Sequence, residues 1–161
     1  MKKYLSYYLL LLFGLFLVLS ACSLQSTEDS SSVTHTEHGD IREKTLSKNE
    51  LPKFLQAAHQ EIQTIYQLAA NHEHVLKYIP CYCGCALSAN HKNNYDCFIY
   101  EQSGHAVVWD DHGTKCNVCL EIANQSIYMF QQGHSVNEIR QAIDSIYQEG
   151  YAPPTPTPFP S

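Results

Sequence analysis

Pro80-Cys81-Tyr82-Cys83-Gly84-Cys85 sets three thiols within five residues, alternating with a ring and a glycine. In an extended backbone a period of two brings all three sulfurs to one face. Such a face is a donor set for a soft metal, or half of a disulfide framework. Cysteines at i and i+2 do not readily bridge each other, because disulfide geometry is narrow, so partners are expected elsewhere in the fold. The chain offers Cys97, Cys116 and Cys119, with His91, His105 and His112 interspersed. Of these histidines, His112 joins the candidate ligand set.

Working outward, Pro80 restricts Ile79 to an extended conformation, so the cysteines begin on a stiff, non-helical segment. Upstream, Leu51, Phe54, Leu55, Ala58, Ile62, Ile65, Tyr66 and Ala69 recur at steps of three and four. That period predicts an amphipathic helix over 52–70, capped by Asn49 and closed by Asn71. Residues 86–96 have no apolar period and read as a loop. Residues 97–101 and 105–110 are β-rich and flank Gln102-Ser103-Gly104, which predicts one short hairpin. Its Phe98, Tyr100, Val107 and Trp109 are expected to cover the cysteines.

Further on, Cys119, Ile122, Ala123, Ile127 and Phe130 form the stripe of a helix over 117–131, with Gly133 as its stop. Cys116 and Cys119 thus fall at the helix start, where unpaired N–H groups and the macrodipole favour thiolate. Ser135-Val136-Asn137-Glu138 is a capping box that opens a last helix over 136–148. The expected fold is mainly α: a small three-helix domain, 51–150, with a cysteine-rich irregular segment and one short β-hairpin. The Pro/Thr-rich tail 151–161 is polyproline-like and reads as an extended spacer or wall contact.

The amino terminus reads as an address. Lys2 and Lys3 precede an apolar run over 9–19, and Leu19-Ser20-Ala21-Cys22 is a small-residue cleavage site ending on cysteine. Residues 1–21 are read as a bacterial lipoprotein signal peptide and Cys22 as the lipidation site. The expected location is the outer face of the cytoplasmic membrane, held by acyl chains. Residues 22–50, rich in Ser, Thr, Glu and His, read as a flexible tether.

Residues 22–161 keep 8 of the 10 basic residues and all 16 acidic ones, a formal charge of −8. An acidic domain is a poor match for phosphate, so nucleic acid is dropped as a partner. No nucleophile–base–orienter arrangement of an enzyme is visible.

Taken together, the lipoprotein signal, Pro80 to Cys85, Asp96-Cys97-Phe98, His112-Gly113, Cys116-x-x-Cys119, Glu138-Ile139-Arg140 and Ile143-Asp144 resemble the bacterial lipoproteins named after a PCYCGC motif. That resemblance implies an architecture and an extracytoplasmic habitat, without an activity. Residues 116–152 are also similar to the thiol-reductant subunit of cytochrome c maturation, which would imply that Cys116 and Cys119 act as a redox pair.

Three functions compete for the same thiols. The first is binding of copper or zinc by Cys81, Cys83, Cys85, Cys97, Cys116, Cys119 and His112, since thiolate-rich sets select soft ions. A second is a disulfide-stapled structural or interaction domain, the default for an exported domain with an even thiol count. The third is thiol–disulfide exchange through Cys116 and Cys119. The first and third readings call for a metal-trafficking or redox partner protein.

Overall fold

The computed structural model describes residues 32–84 and 86–160. The readings of 1–21 as a signal, of Cys22 as a lipidation site and of Cys85 as a ligand fall outside these residues. No helix among the described residues is long and apolar enough to cross a membrane.

The architecture is mixed α/β, not mainly α. Strands β1 (Val33–His35), β2 (Ile41–Thr45), β3 (Ile99–Ser103) and β4 (Ala106–Asp110) form one antiparallel sheet in the order β1-β2-β4-β3. Strands β3 and β4 are the expected hairpin. The correction lies in β1 and β2, which come from the stretch read as a tether.

Strand β2 escapes a hydrophobic reading because its inward residues, Glu43 and Thr45, are polar and buried. Hydrogen bonds stand in for apolar pattern there. Trp109 Nε1 donates to Thr45 Oγ1 at 2.8 Å, and the backbone N–H of Phe54 donates to Glu43 Oε2 at 3.3 Å. Each such bond nets roughly 0.5–1.5 kcal/mol, and losing one partner costs more because the other is left buried and unpaired.

The helices are α1 (Gln60–Asn71), α2 (Glu73–Leu76), α3 (Ala86–Ala89), α4 (Asn117–Gln131) and α5 (Val136–Tyr147). The helix expected over 52–70 breaks: Lys53–Leu55 form a 3₁₀ turn and α1 starts eight residues late, with His59, not Asn49, at its N-cap. Gln63 explains the break. Its Nε2 donates to the carbonyls of both Leu55 and Ala58 at 3.0 Å, so the turn has partners without helical bonds. Helices α4 and α5 match their expected spans. Between them Gly133 sits at φ 92° and donates its N–H to Phe130, and the Ser135/Glu138 capping box is fully formed.

Helix α4 divides the interior in two. One side holds Tyr66, Phe98, Trp109, Ala123 and Ile127 between the sheet and helices α1 and α4. The other holds Val75, Ile79, Tyr82, Ile122, Ile139 and Ile143 between α2, α4 and α5. Full burial of a large apolar side chain contributes about 1.5–3 kcal/mol, so both halves have their own driving force. Cys81, Cys97 and Cys119 lie in the first core and Tyr82 in the second, which puts the cysteine segment at the seam.

The tail is also corrected. Far from being a free spacer, it packs across this seam, with Thr155 and Thr157 buried. Arg140, itself buried, donates Nε to both oxygens of Asp144 and one terminal nitrogen to the carbonyls of Tyr78, Thr157 and Pro158. Its guanidinium lies 4.3 Å from the centre of the Phe159 ring.

Candidate metal centre

Three separate segments deliver sulfur to one point. After α2 the chain makes tight turns at Tyr78 and Ile79 and then runs non-helically through Pro80. It is held from both sides. The N–H of Asn94 donates to Ile79 O at 2.8 Å on one side, while Thr155 and Ala152 of the tail bond to Cys81 O and Tyr82 O on the other. Cys81 N–H completes the pairing by donating to Thr155 Oγ1 at 2.9 Å. Gly84 follows at φ 84°, a turn that an L side chain adopts poorly. Any Cβ there would also stand 3.3 Å from Ala152 Cβ.

The second segment is the 3₁₀ turn Tyr95–Cys97, which ends on the fully buried Cys97. In the third, Cys116 is the N-cap of α4 and Cys119 lies buried in its first turn. Asn94, also buried, donates Nδ2 to Cys119 O at 3.1 Å and so ties the third segment to the first.

The sulfurs of Cys81, Cys83 and Cys119 all lie within 4.8 Å of one another. Cys81 is 3.2 Å from both Cys83 and Cys119, and Cys119 is 3.6 Å from Cys83. Cys97 and Cys116 are hydrogen-bonded to Cys119 as well, making Cys119 the hub. Cys83 is disulfide-bonded, whereas Cys81, Cys97, Cys116 and Cys119 are free.

Charge in the cluster is uneven. Hydrogen bonds from Cys119 and Cys97 pull the Cys81 thiol down to about 3, so this sulfur is a thiolate at neutral pH. A bond with Cys119, aided by helix-start N–H groups, brings Cys116 down to about 6. Cys119 moves up because it is hydrogen-bonded to Cys116, Cys81 and Cys97, of which Cys81 and Cys116 take the negative charge. Cys97 is stabilised by Cys119 but pushed well up overall by Cys81 and by burial. A buried thiolate wrapped by thiols is a donor set able to hold a metal ion.

Of the histidines, His112 has its Nδ1 3.2 Å from Asp40 Oδ2. Its ring meets His91 edge to face at 4.6 Å between centroids, and His91 Nδ1 lies 3.6 Å from Cys97 Sγ. Burial brings His91 down to about 4, so its imidazole is neutral at pH 7. His105 is exposed at the hairpin, and His72 and His74 pack on Phe130. The sequence expectation leaves His91 out of the ligand set, since a loop without period shows no direction for its side chains.

Behind His112 sits an acidic group, Asp40, Asp110 and Asp111. Its charges are met by Arg42, Lys115 and His112 at 2.9–3.2 Å. Burial raises the Asp40 carboxyl, but hydrogen bonds from Lys115 and His112 outweigh it and hold the group below its ordinary value. This network fastens the 36–40 turn to the 3₁₀ turn Asp111–Lys115. Strands β1 and β2 thereby support the histidine side of the cluster.

A family model described as a protein of unknown function with a PCYCGC motif matches residues 10–160. Neither the curated proteins nor the solved structures supply a match.

Proposed function

The chain belongs to the family of proteins of unknown function with a PCYCGC motif, and for this member we propose binding of a soft metal ion, Cu(I) or Zn(II), by its clustered cysteines at the outer face of a bacterial membrane. The observation that carries this reading is the convergence of sulfurs from three segments on Cys119, with one of them a buried thiolate. Soft ions select such donors, and hard ions do not. Four free thiols also weigh against a framework of three structural disulfides.

Purified protein kept free of oxygen is expected to carry roughly one Cu or Zn per chain, with thiols that titrate only after chelation. Metal-free protein without reactive thiols would overturn the proposal. A redox role has one observation in its favour: the bridged Cys83 lies 3.2 Å from the Cys81 thiolate, within reach of exchange. Metal-free protein that reduces the disulfides of a test substrate such as insulin would favour that alternative.

Attachment to the membrane rests on Leu19-Ser20-Ala21-Cys22. Cys22→Ala is expected to leave an unprocessed precursor that takes up no radiolabelled palmitate. Normal cleavage and acylation in that variant would remove the anchor from the proposal. The domain then presents its sulfur centre to a metal-trafficking partner outside the cell.

A further inference from the structure

The cluster has a wall that is not sulfur. His91 is 4% exposed, and its Nδ1 stands 3.6 Å from Cys97 Sγ. Two ligands on one tetrahedral ion, with metal–sulfur near 2.3 Å and metal–nitrogen about 2.0–2.1 Å, stand about 3.6 Å apart. The same ion sets two sulfurs about 3.8 Å apart, so the 3.2 Å between Cys81 and Cys119 would open by roughly half an ångström on loading.

The ring is held for the purpose. His112 packs against it edge to face at 4.6 Å, and Asp40 fixes His112 at 3.2 Å. Next along the chain, Lys92 donates its N–H to Asp96 Oδ2 and accepts at its carbonyl from Thr157 Oγ1. An outer shell that orients a histidine is a regular feature of metal ligation. His91 also lines an open groove of about 650 Å³ together with His35, His38, Asn93 and Asp96. Among the described residues no cysteine lines the groove, and His91 borders both the groove and Cys97.

We propose that His91 is the nitrogen ligand of the centre, with Cys81, Cys97 and Cys119 as its sulfur ligands, and that this set makes the resident ion Zn(II). The assignment rests on the metal reading above and narrows it. Three sulfurs and a nitrogen suit a tetrahedral, borderline-soft ion, whereas Cu(I) has no need of the fourth donor in a thiolate cluster. Cys83, bridged, and Cys116, half-exposed on the helix rim, stand outside the set.

The test is zinc K-edge absorption spectroscopy on zinc-loaded protein handled without oxygen and without added reductant, which keeps the Cys83 bridge, together with zinc competition titrations of variants. Expected are three sulfur neighbours and one nitrogen neighbour, and an affinity loss beyond about 100-fold in His91→Ala. His112→Ala, which frees the His91 ring and removes the bond to Asp40, is expected to lose about 10-fold. Absorption spectroscopy needs no variant, so it decides the ligand even if His91→Ala folds poorly. Wild-type protein that binds no metal would remove the metal reading and this assignment together. Zinc bound by sulfur alone, with His91→Ala unchanged in affinity, would overturn the assignment and leave the metal reading standing.

Discussion

Replacing Cys119 with alanine is expected to lower metal affinity by more than about 100-fold, beyond the 10–100-fold typical of outer-shell partners. Cys119 is the one sulfur bonded to Cys81, Cys97 and Cys116 and lying near Cys83, so its loss removes a ligand and the contact that organises the others. Alanine is the informative choice. The site is fully buried, and serine would add a hydroxyl whose desolvation alone costs about 1–3 kcal/mol. Cys116→Ala is the control: half-exposed at the N-cap, it should cost about 10-fold at most if it stands outside the first set of ligands. Competition against a chromogenic chelator measures both. Equal losses for the two variants would mean that Cys119 is no hub, and unchanged affinity in Cys119→Ala would remove it from the ligands.

Removal of the tail after Tyr151 is expected to cost about 2–4 kcal/mol of stability and to speed alkylation of Cys81 by more than about tenfold. Ala152 and Thr155 make three hydrogen bonds to the backbone of Cys81 and Tyr82, and Thr157 makes another to Lys92 O. Cutting them exposes the motif from one side. It also takes two carbonyl partners from the buried Arg140, which keeps Asp144 and Tyr78. Urea unfolding gives the first number, and thiol labelling in native buffer gives the second. A truncated protein with wild-type stability and protected thiols would show that the strap contributes nothing. Thr155→Val, which keeps shape but removes the acceptor for Cys81 N–H, should cost about 1–2 kcal/mol.

Much of the centre was legible in the sequence because its chemistry is local. Three thiols around Pro80, and a pair at the start of a helix stripe, needed only spacing and the rules of helix ends to be found. The spans of α4 and α5 and the hairpin followed from apolar period for the same reason. A buried apolar face leaves a repeat in the residues that make it.

What only the tertiary structure decided depends on polar groups that are buried by pairing with distant partners. Glu43 and Thr45 make β2 an inner strand because Phe54 N–H and the Trp109 indole meet them, and no local pattern marks a polar residue as inward-facing. Thr155 and Thr157 alternate with prolines, which places them on one side of an extended chain. Only the fold showed that this side lies on Cys81. His91 and His112 look alike in sequence, and only the fold shows that Asp40, 72 residues from His112, holds one imidazole while the other meets Cys97. Sequence alone therefore determined the clustered thiols and the helix that carries Cys116 and Cys119. Long-range hydrogen bonds decided which donors meet, because their energy depends on partners brought close only by the packed chain.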